Sequence, residues 1–266
     1  GPQFTICSNY KEEGTMPPPP IAMREQLREE RFNGVWTQEL NRVFADVAPY
    51  YDQANVVASL GLWDFLLRGF MDTMQLRAGE RVLDVCAGTN AVGIALLKRE
   101  PGLEVHAMDR SAEMQEVGRS RAQALGMRIH SVIGDVHKLP FPDNHFDIVT
   151  LQWATRHLRV KQVFGEIRRV LKPGGRFYHC DMLRPANPIV ETLYYTYLRL
   201  CLNFTALVFG SGASAHGLKR YFINALEMFY SADELSELLR GLRFERVAAR
   251  TVLAGMIGYH RAAKPA

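Results

Sequence analysis

Between residues 80 and 183 short β-like runs alternate with helical ones, and no other feature of the chain restricts its fold as strongly. Strands are predicted at "ERVLDV" (80–85), "LEVHAMD" (103–109), "RIHSVIGD" (128–135), "FDIVTLQW" (146–153) and "GRFYHCDM" (175–182). Between them lie the helical patterns "AVGIALLKRE", "AEMQEVGRSRAQAL" and "VKQVFGEIRRVLK". Strands that alternate with helices argue for an α/β fold with a parallel, doubly wound sheet. Around this unit the chain divides simply. Residues 1–20 end in "MPPPP", which cannot form helix and predicts a mobile tail. Residues 21–76 read as helices, including "LGLWDFLLRGFMDTM". Residues 77–266 read as the main domain, with an aromatic-rich, mostly helical insertion at 184–230. After it, Ser231 is a candidate N-cap for "SADELSELLRGL", and two strand-like runs close the chain.

The first strand ends on Asp84, and the turn "VCAGTNA" then leads into a helix. That shape suits a loop holding a nucleotide-like cofactor at a helix start, where free backbone N–H groups face the ligand. Gly88 allows close approach, and Asp109, ending the second strand, is placed to take a ribose hydroxyl pair. The G-x-G-x-x-G fingerprint of dinucleotide sites is absent. A pyrophosphate needs that fingerprint's close approach; S-adenosylmethionine carries no phosphate. Its ammonium and sulfonium groups instead favour carboxylates, which Asp84, Asp109 and Asp135 supply at three successive strand ends. Asn90 tolerates a left-handed backbone and can replace a turn glycine. The candidate cofactor set is completed by Cys86, Ala87, Arg110, Met114, Gly134, Val136 and Gln152. The loop alone also fits an α/β protein that binds something else.

Charge and cysteine content narrow the alternatives. A formal net charge of +4, with Lys and Arg spread along the chain, does not argue for nucleic acid. The four cysteines show no CxxC spacing, which fits a reducing cytoplasm, and no HExxH or similar metal spacing occurs. The run at 189–209 is long enough to span a bilayer, but Glu191, Arg199 and Asn203 interrupt it. It reads better as amphipathic lid helices, either touching a membrane surface peripherally or buried in a domain or homodimer contact. "GSGASAHG" (210–217) reads as a hinge in that lid.

Further along, "LPFPDNHFD" follows Asp135, and "LKPGGR" precedes the strand carrying Phe177 and Tyr178. Together with the loop these resemble class I S-adenosylmethionine-dependent methyltransferases. "VFADVAPYYDQANVVASLGLW" (43–63), "ATRHL" (154–158) and "YFINALEMF" (221–229) carry the resemblance to the ubiquinone/menaquinone-biosynthesis C-methyltransferase family, over about residues 40–262.

This resemblance implies a Rossmann-like sheet with an antiparallel last strand, a helical lid, and ring-carbon methylation of a prenylated quinol or related hydrophobic phenol. The family's loop usually reads Asp-x-x-Gly-Gly-Thr-Gly-Asp. Here Asp84, Gly88 and Thr89 match, while Ala87, Asn90 and Ala91 depart. The family's Gly-Leu-Arg-Asn stretch is Ala154-Thr155-Arg156-His157, and its glutamate after the fifth strand is Asp181. The cofactor scaffold is thus kept and the acceptor side altered. Arg156 is a candidate to stabilise a phenolate, His157 to take its proton, and Tyr51 to orient the acceptor. A solvated loop at 156–157 and a packing role for Tyr51 remain open, and His179 reads as a core histidine. So do methyl transfer to oxygen, nitrogen or sulfur of another small molecule, and an inactive cofactor-binding partner in a biosynthetic complex.

Overall fold

The computed structural model describes residues 20–31, 61–208 and 225–266. Tyr51, the tail before residue 20 and the 210–217 segment lie outside the described residues. Helix α1 spans Ile21–Arg31 and α2 spans Trp63–Met71. Then follow β1 (Arg81–Val85), α3 (Ala91–Arg99), β2 (Glu104–Asp109), α4 (Ala112–Ala124), β3 (His130–Ile133) and β4 (Phe146–Gln152). The chain continues through α5 (Val160–Val170), β5 (Leu171–Met182), α6 (Pro188–Val208), α7 (Ala232–Gly241), β6 (Glu245–Val252) and β7 (Ile257–Ala263).

The seven strands form one sheet in the order β3-β2-β1-β4-β5-β7-β6. All neighbours pair in parallel except at β7, which runs antiparallel to both β5 and β6. This is the architecture expected from the alternation and from the resemblance. Strand side chains alternate between faces, and the two cores follow that period. Leu83, Val149 and Phe177 join one core with Phe164 and Ile167 of α5 and Leu239 of α7. Val82, Ile148 and Tyr178 point the other way, into a core with Phe70 of α2 and Leu96 of α3. Helix α5 buries Val160, Val163, Phe164, Ile167 and Val170, the spacing of one helical face.

One boundary differs from expectation. Helix α5 stops at Val170, and β5 begins at Leu171 rather than at Gly175. The register of β5 against β4 jumps from Phe146–Leu171 to Ile148–Arg176. Pro173, Gly174 and Gly175 are accommodated in that irregularity, and Gly174 adopts φ 72°. The Ser231 cap is present as a full capping box, with Glu234 answering the Ser231 backbone N–H.

Candidate active site

Strand order reverses between β1 and β4, so the crevice of an open α/β sheet lies beyond their carboxyl ends. The loop after β1 is built there from left-handed residues: Cys86, Gly88 and Asn90 have φ of 55°, 52° and 59°. Its turn is closed by Asn90 N–H donating to the Ala87 carbonyl at 2.9 Å. Gly88 N–H donates to Asp109 Oδ2 at 2.8 Å, tying the loop to the end of β2. Gln115, from α4, donates through Nε2 to the Gly88 carbonyl and to Asn90 Oδ1, each at 2.9 Å. The Asn90 side chain is fully buried, against α4. It fits because residue 118 is glycine: a Cβ there would lie 2.7 Å from Asn90 Cγ.

Asn90→Gly is therefore expected to keep stability within about 1 kcal/mol, since it relieves the left-handed backbone and leaves Gln115 its Gly88 partner. Asn90→Val should cost more than about 2 kcal/mol and abolish cofactor binding, because a β-branched residue must hold φ near 59°. Thermal unfolding and calorimetry check both; a valine variant that binds normally would show that the turn is not the binding element.

A cleft of about 810 Å³, counted to its open mouth, lies over this loop. It gathers Cys86, Gly88, Asp109, Arg110 and Met114 on one side, and Gly134, Asp135, Val136, Gln152 and His157 on the other. Asp84 and Ala87 line a smaller adjoining recess with Trp63 and Trp153, whose rings are 5.7 Å apart. Asn90 lines neither; it shapes the turn from inside.

The carboxylates differ sharply. Asp84 is 1% exposed, and burial pushes its carboxyl up to about 7 against the hydrogen bond that Thr150 Oγ1 donates at 2.7 Å. Its Oδ2 is buried without a hydrogen-bond partner among the described residues. Asp109 is also raised by burial, opposed by the N–H groups of Ser111 and Gly88. Asp135, more open, is lowered: burial pushes it up, but hydrogen bonds from the His137 backbone and ring prevail. Burial and the neighbouring carboxylates push the Cys86 thiol well up, so it is no thiolate nucleophile. An orphaned carboxylate oxygen among three acidic groups fits a cationic ligand and disfavours a phosphate. S-adenosylmethionine meets that requirement.

Beyond β4 the chain makes a short 3₁₀ turn over Thr155–His157. It directs the two candidate acceptor residues differently. His157 lines the cleft, and burial, with Arg156 and Arg28, holds its imidazolium well below 6.5. Arg156 lines neither cleft nor recess. Its Nη1 donates to Asp181 Oδ1 at 2.6 Å and to the Trp153 carbonyl at 2.9 Å. Asp181 is fully buried at the end of β5 and also accepts from the N–H groups of Thr155 and Met182. His179 is fully buried, with Nε2 2.7 Å from Thr155 Oγ1.

Several contributors escape sequence reasoning. Gln115 and His137 hold motif residues from positions that belong to no motif, although His137 sits only two residues after Asp135. Helix α1 reaches the site's edge through buried arginines. Arg28 donates to the Leu158 carbonyl at 3.1 Å, and its guanidinium lies 5.0 Å from the Phe229 ring centre and 5.4 Å from that of Tyr230. Arg24 donates to the Phe229 carbonyl at 2.7 Å and pairs with Glu234. Leu158 lines the cleft, so α1 braces one of its walls.

Residues 32–264 match the ubiE/COQ5 methyltransferase family. The chain is 32% identical over 233 residues to the ubiquinone/menaquinone biosynthesis C-methyltransferase UbiE of Azotobacter vinelandii, covering 86% of this chain and 90% of that protein. It is 33% identical over 232 residues to the demethylmenaquinone methyltransferase of Lactobacillus johnsonii, covering 86% and 93%. Among solved structures, a SAM-dependent methyltransferase from Aquifex aeolicus superposes with a TM-score of 0.53 at 20% identity, over 74% of this chain and 89% of that one. Haemonchus contortus phosphoethanolamine N-methyltransferase 2, solved with S-adenosyl-L-methionine, gives 0.56 at 16% identity, over 77% and 53%. At such identities these two speak for the fold alone. With fold, cation-ready cleft and relatives in agreement, the chain is an S-adenosylmethionine-dependent methyltransferase and belongs to the ubiE/COQ5 methyltransferase family.

Proposed function

We propose that the chain methylates a ring carbon of a prenylated quinol, the acceptor class named for its relatives. The observation that carries this reading is the pairing of a cation-ready cleft at β1–β3 with a buried Arg156–Asp181 pair at the ends of β4 and β5. S-adenosylmethionine supplies an already activated methyl sulfonium, so the protein's work is placement and charge. Asp84, through its orphaned Oδ2, is the group to receive the ammonium, and Asp109 to receive the ribose hydroxyls. Arg156 lines neither cleft nor recess and is held by Asp181, so its assigned part is longer-ranged: a positive charge at the strand ends that favours the phenolate. His157 stays neutral through the physiological range and is the nearby group able to accept the phenolic proton. Any acidic limb that His157 sets in the pH–rate profile therefore lies below 6.5.

For the acceptor's tail we assign α6. Ile189, Leu193 and Leu200 are 71%, 65% and 64% exposed, and Leu193 and Leu200 are seven residues apart on one helical face. Among the described residues no helix is long and apolar enough to cross a membrane. A surface contact with the bilayer that carries the quinol fits such a face.

The test is transfer of labelled methyl to demethylated quinols with short and long tails, beside a panel of oxygen, nitrogen and sulfur acceptors. A ring-methylated quinol is the expected product. Leu193→Glu with Leu200→Glu should slow transfer to long-tailed acceptors in lipid vesicles and spare the short-tailed ones. Label appearing only on non-quinol acceptors would overturn the reading.

A further inference from the structure

Two buried oxygens at the carboxyl ends of neighbouring strands lack a hydrogen-bond partner among the described residues: Asp84 Oδ2 on β1 and Gln152 Oε1 on β4. Side chains two residues apart on a strand share a face. Val82 and Asp84 on β1, and Ile148, Thr150 and Gln152 on β4, thus point to one side of the sheet, that of the α2 core. Thr150 pairs with Asp84 in register and occupies its Oδ1 at 2.7 Å, and Gln152 is the next residue of β4 on that face. Asp84 and Gln152 both line the recess beside the cleft, about 370 Å³ counted to its open mouth. Gln152 and Trp153 line cleft and recess alike, so the two spaces meet there. Trp63, the first residue of α2, and Trp153 wall the recess. A buried amide oxygen without a donor is a cost that leucine at the same position would not carry. A carboxylate and an amide oxygen that both await donors, between aromatic walls, suit a small cation rich in N–H groups.

We propose that Gln152 is a specificity-determining residue for the cofactor: its Oε1 accepts a second hydrogen bond from the ammonium that Asp84 receives, and the recess seats the amino-acid end of S-adenosylmethionine. This rests on the ammonium assignment to Asp84 above and adds a residue and a seat to it. An ammonium carries three donors, enough for both oxygens. The ligand then spans both spaces, with its ribose at Asp109 in the cleft and its amino-acid end past Gln152 in the recess. Selectivity follows. Ligands that keep the ammonium gain from Gln152, and adenosine derivatives that lack it gain nothing.

The test is calorimetric binding of two probes, which needs no acceptor and stands whether or not the quinol reading holds. S-adenosylhomocysteine keeps the amino-acid end; 5′-methylthioadenosine shares the adenosine and sulfur and lacks it. Gln152→Leu should weaken S-adenosylhomocysteine about tenfold or more, the scale of a lost hydrogen bond to a charged group. It should leave methylthioadenosine unchanged and the melting temperature of the free protein unchanged or higher. Gln152→Glu keeps an acceptor and loses the amide donor, so at about pH 8 it should bind S-adenosylhomocysteine far better than Gln152→Leu does. Equal losses for both probes in Gln152→Leu would make Gln152 a shaping residue of the cleft and overturn the proposal, as would no loss for either. A Gln152→Glu variant as weak as Gln152→Leu overturns it too, since the amide would then act as a donor. If Asp84→Asn also binds S-adenosylhomocysteine normally, the ammonium seat falls as a whole. If Asp84→Asn binds weakly and Gln152→Leu does not, Gln152 alone falls.

Discussion

Arg156→Ala is expected to destabilise the protein by about 3–5 kcal/mol and to abolish methyl transfer, while S-adenosylmethionine still binds the fraction that remains folded. The size follows from what is left behind. Asp181 is fully buried, and without the guanidinium it keeps two backbone N–H donors among the described residues for its charge. Stability and catalysis separate in a double variant. Adding Asp181→Asn to Arg156→Ala removes the stranded charge and should recover part of the lost stability, by more than about 1 kcal/mol. On the proposed role of Arg156 it should recover no turnover, because the guanidinium is still missing. Arg156→Lys keeps the charge and loses the planar fork, so it belongs between the two. Denaturant unfolding and single-turnover rates distinguish these cases. A stable, inactive single variant would mean that Asp181 is solvated, and that the pair serves the acceptor without bracing the fold.

The second large effect concerns protons. In the free protein Asp84 titrates at about 7, so the folded state holds a proton that the unfolded chain, near 3.8, has released. This group therefore removes stability as pH rises from about 4 to about 7. A bound ammonium reverses the preference, because it favours the carboxylate. Cofactor binding at about pH 6 should expel close to one proton, and apparent affinity should rise with pH until it levels off above about pH 8. Calorimetry in two buffers of different ionisation enthalpy measures the release directly. Asp84→Asn should abolish it and weaken binding by about tenfold or more, the scale of a lost charge-assisted hydrogen bond. Asp109, also raised by burial, adds in the same sense, so the variant comparison is what assigns the proton. Binding without proton release near pH 6 would place the ammonium elsewhere.

The strands and helices of 80–183 were legible because α5 buries residues at a helical spacing, whereas β1 and β4 are short apolar runs buried on both faces, as inner strands of a covered parallel sheet are. Asn90 was legible as a left-handed residue for a local reason: few side chains tolerate that backbone. What surrounds it was not. Gln115 and Gly118 hold Asn90 from a different helix, and nothing near either residue announces it. Arg156 and His157 are adjacent in sequence and were read together. The 3₁₀ turn leaves His157 lining the cleft and sends the Arg156 side chain back onto β5. The direction of a side chain in an irregular turn depends on partners supplied by distant strands. The same holds for α1, whose helical pattern was plain but whose buried arginines depend on Phe229, Tyr230 and Leu158.

The place of β7 has a consequence for how the molecule is made. β5 and β6 precede it in the chain, yet they never pair with each other; β7 enters last and fills the gap between them. During synthesis the cofactor edge, β3 to β4, is complete before residues 257–263 exist. The other edge waits, with β5 and β6 presenting bare ladders to any passing strand. Stalled or clipped chains that stop short of Ile257 should thus accumulate as aggregates rather than as half-active enzyme. A cofactor already seated on β1 and β2 would act as a folding aid for the remainder.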